Sequence, residues 1–242
     1  MIHILLAAFN EETALGEVLN GIARTLADGA YKVWLVDDGS TDGTFPVAET
    51  WRGKIPLAVT RHKSNRGLGA ALQTGLETLM PAVADDDVLV TLDADNTQPP
   101  ALIPRLAAPI EAGRADLVIA SRFARGARVV GVPPLRRWTA RGASGLFRWA
   151  LPIPGVRDYT CGFRAYRGRP LKEGQVRWGR LISENGFAAQ AEILVKLAAL
   201  SARIEEIPLH LRYDRKPTPS KMPVFRTIQR TLALMVRLRR MN

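Results

Sequence analysis

One run constrains this chain more than any other: Val88-Leu89-Val90-Thr91-Leu92-Asp93-Ala94-Asp95. Aliphatic and β-branched residues without a charge describe a strand covered on both faces, as in a parallel sheet, and the run ends abruptly in two carboxylates. Side chains alternate along a strand, so Asp93 and Asp95 project to one side at its carboxyl end, where together they can hold one hard divalent cation. Asn96-Thr97-Gln98-Pro99-Pro100 then stops the strand and starts a helix. Asp-x-Asp alone describes an acidic, solvated turn as well as it describes a site, so its meaning depends on its neighbours.

The neighbours repeat the strand-then-helix pattern. Residues 2–8 read as a first strand, followed by a helix with Leu15, Val18, Leu19, Ile22 and Leu26 on one face. Residues 32–36 form a second strand ending in Asp37-Asp38 and the turn Gly39-Ser40-Thr41-Asp42-Gly43-Thr44, where Ser40, Thr41 or Asp42 can cap the next helix. A carboxylate at the carboxyl end of a parallel strand is also placed to meet a ribose hydroxyl or a base edge. After a short third strand at 57–60, Gly67-x-Gly69 opens a helix whose N-terminus allows close backbone approach to an anion, a weak signal by itself. Residues 116–120 are another buried strand, ending in Ser121-Arg122, and residues 186–200 a helix in which Glu192 is either a surface acid or an acceptor-side group. A late strand at 204–213 carries Pro208, which favours a sheet edge. This alternation predicts an α/β fold with a mostly parallel sheet and helices on both faces.

A chain of 242 residues with 47% hydrophobic content buries a full core as one large domain, expected over residues 1–222, with a terminal helix over 223–242. The single Cys161 excludes an intramolecular disulfide and a Cys-rich metal site. The first residues lack a basic segment and run into Asn10-Glu11-Glu12, so they read as a strand and not as a signal peptide. The charge of +11 is uneven: eight Arg and no acid lie between Leu117 and Arg157, and eight Arg or Lys and no acid from Arg215 to Asn242. Aromatic residues in these tracts sit among aliphatics, outside any base-stacking motif, which points to anionic lipid and phosphate and away from nucleic acid. In the terminal tract Phe225, Ile228, Leu232, Met235 and Val236 recur at helical spacing among arginines, and residues 137–155 offer a second interfacial segment. No run reaches the roughly 20 uncharged apolar residues of a spanning helix, so a membrane contact is expected to be peripheral. His3, His62 and His210 read as structural or exposed groups.

In order, Ala8-Phe9-Asn10-Glu11-Glu12, Val36-Asp37-Asp38-Gly39-Ser40-Thr41-Asp42-Gly43-Thr44, Asn65-x-Gly67-x-Gly69-Ala70, Leu92-Asp93-Ala94-Asp95 and Ala120-Ser121-Arg122 resemble the signature of family 2 inverting glycosyltransferases of the GT-A fold. The second half, with Arg137-x-x-x-Arg141-Gly142-Ala143, the run from Arg157 to Arg167, Glu184-Asn185-Gly186-Phe187 and Arg215-x-x-x-x-Ser220-Lys221-Met222, resembles the polyprenyl-phosphate (dolichol-phosphate) mannosyltransferase branch. The resemblance implies transfer of a hexose, mannose from GDP-mannose foremost, to polyprenyl phosphate at the cytoplasmic face of a membrane, with room for a separate membrane-protein partner. It implies a divalent cation, Mg or Mn, held by Asp93 and Asp95, with donor contacts from Ala8, Asn10, Glu12, Asp37, Asp38, Gly67, Asp93 and Ala94. Arg122, Arg141, Arg215 and Lys221 would handle phosphates, and with the two aspartates they make up the catalytic set.

Two departures from the branch stand out. Thr97 takes the place of its metal-binding Gln, so that role falls to the neighbouring Gln98 or to the Thr97 hydroxyl, and Thr218 stands where the branch has Gly. A UDP-sugar donor carrying glucose or GlcNAc is the close alternative, and a non-catalytic nucleotide-sugar binder the more distant one. Chemistry supports transfer independently: a departing nucleoside diphosphate needs its charge neutralised, whereas a phosphate monoester acceptor is already ionised and needs no strong base.

Overall fold

The computed structural model of the protein describes residues 1–186, 188–216 and 224–239, without the side chains of residues 135–137 and 224–230. Phe187, Thr218, Ser220, Lys221 and Met222, and the side chains of Arg137, Phe225 and Ile228, therefore lie outside the described residues.

Among the described residues, seven strands make the central sheet: β1 (Ile2–Ala8), β2 (Tyr31–Asp37), β3 (Leu57–Arg61), β4 (Val88–Asp93), β5 (Leu117–Ser121), β7 (Arg164–Arg167) and β8 (Ile204–Pro208). Their order is β3-β2-β1-β4-β7-β5-β8, all parallel except β7, which runs antiparallel between β4 and β5. A small parallel pair, β6 (Arg128–Val130) with β9 (His210–Arg212), lies outside it. The expected late strand is thus broken at Pro208-Leu209, and its first part forms the sheet edge that Pro208 favours. β1 and β4 pair in register, Leu6 with Leu92 and Ala7 with Asp93, so both strands deliver their loops to one edge of the sheet.

Helices α1 (Leu15–Thr25), α2 (Thr44–Glu49), α3 (Leu68–Leu79), α4 (Ile103–Glu111), α5 (Pro134–Ala150), α6 (Gly168–Trp178), α7 (Ala189–Ala198) and α8 (Val224–Arg239) flank the sheet. α3 packs on β1 and β2, α4 on β4, β5 and β7, and α8 on α5 and α7. The strands read from sequence as uncharged runs are buried on both faces, and Leu15, Val18, Leu19 and Ile22 form the inward face of α1. His3 belongs to this frame: its Nδ1 accepts from Trp34 Nε1, and its Nε2 faces Asp87. Among the described residues no helix is long and apolar enough to cross a membrane.

Two helices differ from expectation in what covers them. Leu234, Met235 and Leu238 of α8 are buried, so much of its apolar face covers the core, and Met235 is removed from the expected membrane-facing set. Leu232 and Val236 remain exposed, and on α5 Trp138 and Trp149 stand out at 71% and 78% exposure. Glu192 on α7 is neither a surface acid nor an acceptor-side group. Its carboxylate is 1% exposed and accepts from the N–H groups of Ser183 and Glu184, with Lys196 Nζ at 2.9 Å and Arg237 of α8 at 3.4 Å. Burial alone would raise its pKa, but Lys196 and the backbone donors hold it below the ordinary value.

The loop fixed by Glu192 presses on the start of α3. Gly69 N–H donates to Asn185 O, and a Cβ at Gly69 would lie 1.7 Å from Glu184 O. Gly142, on the exposed part of α5, has open space around its missing Cβ. Gly69→Ala should therefore lower stability by about 1–3 kcal/mol through overpacking, while Gly142→Ala should raise it by about 0.5–1 kcal/mol through helix propensity, both read from thermal or urea unfolding.

Candidate active site

The carboxyl ends of β1, β2 and β4 form the site floor. Asn10 adopts φ 54°, which Asn tolerates, and turns the chain so that two loops interlock. Asn10 N–H donates to Ser40 Oγ, Thr41 N–H to Asn10 Oδ1, Glu11 N–H to Thr44 Oγ1 and Gly43 N–H to Glu12 Oε2. Asn10 and Glu12, expected to meet the donor, are thus engaged in holding the β1 loop to the β2 loop. Asp38 is likewise committed: it accepts from His62 Nδ1 at 2.6 Å and from the N–H groups of Arg66 and Gly67. Gly67, read as a phosphate-approach glycine, has φ 95° and lies against Asn185 O, which a Cβ would meet at 2.4 Å. Close approach is what the glycine permits, but to backbone of the same chain. Asp37 is fully buried, with one oxygen accepting from Ser40 N–H and the other 3.0 Å from Arg61 Nε. Ala8 and Ala94 are buried strand-end residues at the same edge.

Asn96, with φ 60°, turns the chain after β4 and lets its followers reach back. Thr97 donates its N–H and hydroxyl to Asp95 Oδ1, at 3.1 and 2.7 Å. Gln98 goes to the other carboxylate: its Oε1 accepts from Asp93 N–H, and its Nε2 donates to Asp93 Oδ2 at 2.6 Å. The amide proposed from sequence as a metal ligand is therefore occupied in orienting Asp93, and the aligned Thr97 is the residue on Asp95.

Cations surround this pair. Lys216 Nζ forms a short ion pair with Asp95 Oδ2. Arg122 forks onto Asp158 at 2.8 and 2.6 Å and reaches Thr160 Oγ1. Asp158 is fully buried and also accepts from the N–H groups of Arg122, Thr160 and Cys161. Burial opposes both charges, yet each holds the other ionised: the Asp158 carboxyl lies below its ordinary range and the Arg122 guanidinium above. Arg122 interacts electrostatically with Asp93 as well, which places it at the site with its orientation already fixed. Of the other expected cations, Lys221 lies outside the described residues. Arg141 is exposed on α5 with no hydrogen bond or ion pair to Asp93 or Asp95, and Arg215 is exposed beside Asp214.

Lys216, Glu11 and Asp158 are members of this neighbourhood that the sequence reading did not assign. Glu11 is buried and acts electrostatically on Asp93 and Lys216. Its only signal was its place between Asn10 and Glu12. Cys161 is buried, and its thiol is pushed up to about 12, first by burial and then by Asp158, so it is inert. Neither buried histidine faces the acidic pair: His62 is held between Asp38 and Thr74, while His3 faces Trp34 and Asp87.

The sequence profile described as "Glycosyl transferase family 2" matches residues 3–174. The chain belongs to that family. This glycosyltransferase is 31% identical over 208 residues to a dolichol-phosphate mannosyltransferase of Pyrococcus furiosus, covering 86% of this chain but only 55% of that protein. It is 32% identical to an undecaprenyl-phosphate mannosyltransferase of Micrococcus luteus, covering 90% of this chain and 86% of the relative. Its fold resembles that of glucosyl-3-phosphoglycerate synthase from Mycobacterium tuberculosis, solved with Mn2+, UDP and glucosyl-3-phosphoglycerate, with a TM-score of 0.69 and 22% identity over 99% of this chain and 79% of that one. A structure of the same synthase with Mg2+ and UDP superposes equally well, also with a TM-score of 0.69, over 99% and 79% of the two chains at 20% identity. The expected GT-A architecture is thus established for this glycosyltransferase.

Among the described residues no three His, Cys, Asp or Glu side chains converge as a closed metal cage. Two carboxylates one residue apart, already carrying a cationic ammonium, nonetheless fit an open Mg2+ or Mn2+ site of the type that leaves positions for phosphate and water. Asp93 sets its pH range. Burial first, and the charge of Asp95 second, push its carboxyl up to about 7. A cation binds the ionised form, so Mn2+ affinity should rise with pH up to about 7 and level off above it, whereas an affinity flat from acid to neutral would contradict this assignment.

Proposed function

We propose that this glycosyltransferase moves a hexose, mannose from GDP-mannose in the first place, onto a polyprenyl phosphate at a membrane surface. The observation that carries the reading is the acidic end of β4 with Lys216 and a pre-oriented Arg122 at hand, the charge pattern that a sugar diphosphate requires. The two relatives, named dolichol-phosphate and undecaprenyl-phosphate mannosyltransferase, support a polyprenyl-phosphate acceptor. Asp93 and Asp95 would hold the divalent cation, with Gln98 and Thr97 orienting them, and the cation would neutralise charge on the departing diphosphate. An acceptor phosphate oxygen forms the new bond to the anomeric carbon from the side opposite the diphosphate as the old bond breaks. No protein base takes part in that step.

The test is incubation with labelled GDP-mannose, UDP-glucose and UDP-GlcNAc plus polyprenyl phosphate, followed by organic extraction. Charged, extractable product from GDP-mannose is expected, product from a UDP-sugar would reassign the donor, and donor binding without product would favour the non-catalytic reading. Asp95→Asn should lower turnover at least about a hundredfold while the chain stays folded at the assay temperature, because Asp95 lies beyond the end of β4 and outside the apolar core.

The membrane contact is assigned to α5 and the outer face of α8. Trp138, Trp149, Leu232 and Val236 are exposed there, together with Arg141, Arg148, Arg237 and Arg239, and neither helix carries an acid. Aromatic residues settle at the headgroup boundary, and each arginine adds about 1 kcal/mol near an anionic surface. Trp138→Ala with Trp149→Ala should reduce flotation with anionic vesicles, and high salt should reduce it further. Unchanged flotation of the double variant would remove α5 from the contact.

A further inference from the structure

Asp95 carries two kinds of partner, and they differ in permanence. Oδ1 accepts two hydrogen bonds from Thr97, its neighbour in the same turn. Oδ2 carries the ammonium of Lys216, from 121 positions away. Both side chains of this ion pair are mostly shielded, at 12% and 13% exposure, and Asp93 and Glu11 add to the attraction on the ammonium.

The backbone beneath Lys216 is fixed. Arg212 N–H donates to Thr97 O at 2.9 Å, and Lys216 N–H donates to Tyr213 O at 3.1 Å. Gly131 allows Asp214 to pack so closely that a Cβ would lie 2.6 Å from its nitrogen. The side chain is what can move, a flexible four-carbon stem ending in a point charge. A divalent cation on Asp95 needs the oxygen that the ammonium holds, and two cations on one oxygen repel each other.

We propose that Lys216 is an exchangeable counter-ion built into the chain: it holds Asp95 until a divalent cation takes that oxygen, and the freed ammonium then meets the diphosphate that binds with the cation. This rests on the reading of Asp93 and Asp95 as the cation site and adds a positioning residue to it. Exchange has two consequences of opposite sign. The ammonium competes with the cation when no phosphate is present. It cooperates with the cation when a nucleoside diphosphate is bound, because the displaced charge then gains a partner.

The experiment is Mn2+ binding to the full chain, followed by the paramagnetic resonance of free Mn2+, alone and with GDP or UDP, and without any sugar transfer. Lys216→Met should bind Mn2+ alone on the order of tenfold tighter than the unmodified chain, as when one partly shielded ion pair no longer has to be broken. It should also lose most of the enhancement that the diphosphate confers, whereas Lys216→Arg should retain it. Lys216→Gln serves as a second neutral variant if Lys216→Met melts early. Mn2+ affinity in both neutral variants equal to or below that of the unmodified chain would overturn the exchange. Asp95→Asn separates the two levels of the argument. If it abolishes Mn2+ binding while the neutral variants leave it unchanged, the exchange alone falls; if it binds Mn2+ normally, the cation site and the exchange fall together.

Discussion

Like charge brought to one strand end is the constraint from which the rest of the site follows. β1 and β4 are paired so that the loop carrying Glu11 meets the end carrying Asp93 and Asp95. Burial first, and then the charges of Asp95 and Glu11, raise the proton affinity of Asp93. Relief comes from positive charge and from hydrogen bonds to fixed donors. Thr97 and Gln98 supply the donors. Lys216 supplies charge directly, while Arg122 is held by Asp158 in an orientation that leaves its field on Asp93. A buried ion pair of that kind adds little net stability, but it fixes where a guanidinium points.

How much of this was legible follows the range of each interaction. β1, β2, β4 and β5 were readable because a strand buried on both faces must be written as an uncharged run. Asp93 and Asp95 were readable because their spacing is local. β7 was not: Arg-Ala-Tyr-Arg looks like surface, and Arg164 is buried only because the carbonyls of Gln190 and Tyr159 receive its guanidinium. α6 was missed because Pro170 and Gly174 lie inside it. Lys216 escaped notice because its partner is more than a hundred positions distant, and Gly67 and Gly69 were misread because the group approaching them is the Glu184–Asn185 backbone.

Helical periodicity has a related limit. It announces that a helix has an apolar face but not what lies against it. In α8 the stripe includes Leu234, Met235 and Leu238, which close the core over α5 and α7. In α5 the polar and apolar signals mix: Phe147 is buried, whereas Trp138 and Trp149, in the segment expected to be interfacial, are exposed.

The antiparallel β7 between β4 and β5 has a consequence for how the molecule comes into being. Its two neighbours are complete by residue 121, yet the strand that joins them begins at Arg164. A chain emerging from the ribosome therefore carries two finished, apolar strands with open flanks until more than forty further residues are made, and pairings of that separation form slowly. The interval is also when a stray β-strand could take the vacant place. Since β7 brings in Arg164 and the Asp158–Gly162 segment just before it, the catalytic edge matures late, and a strand arriving out of turn would close the sheet without completing it.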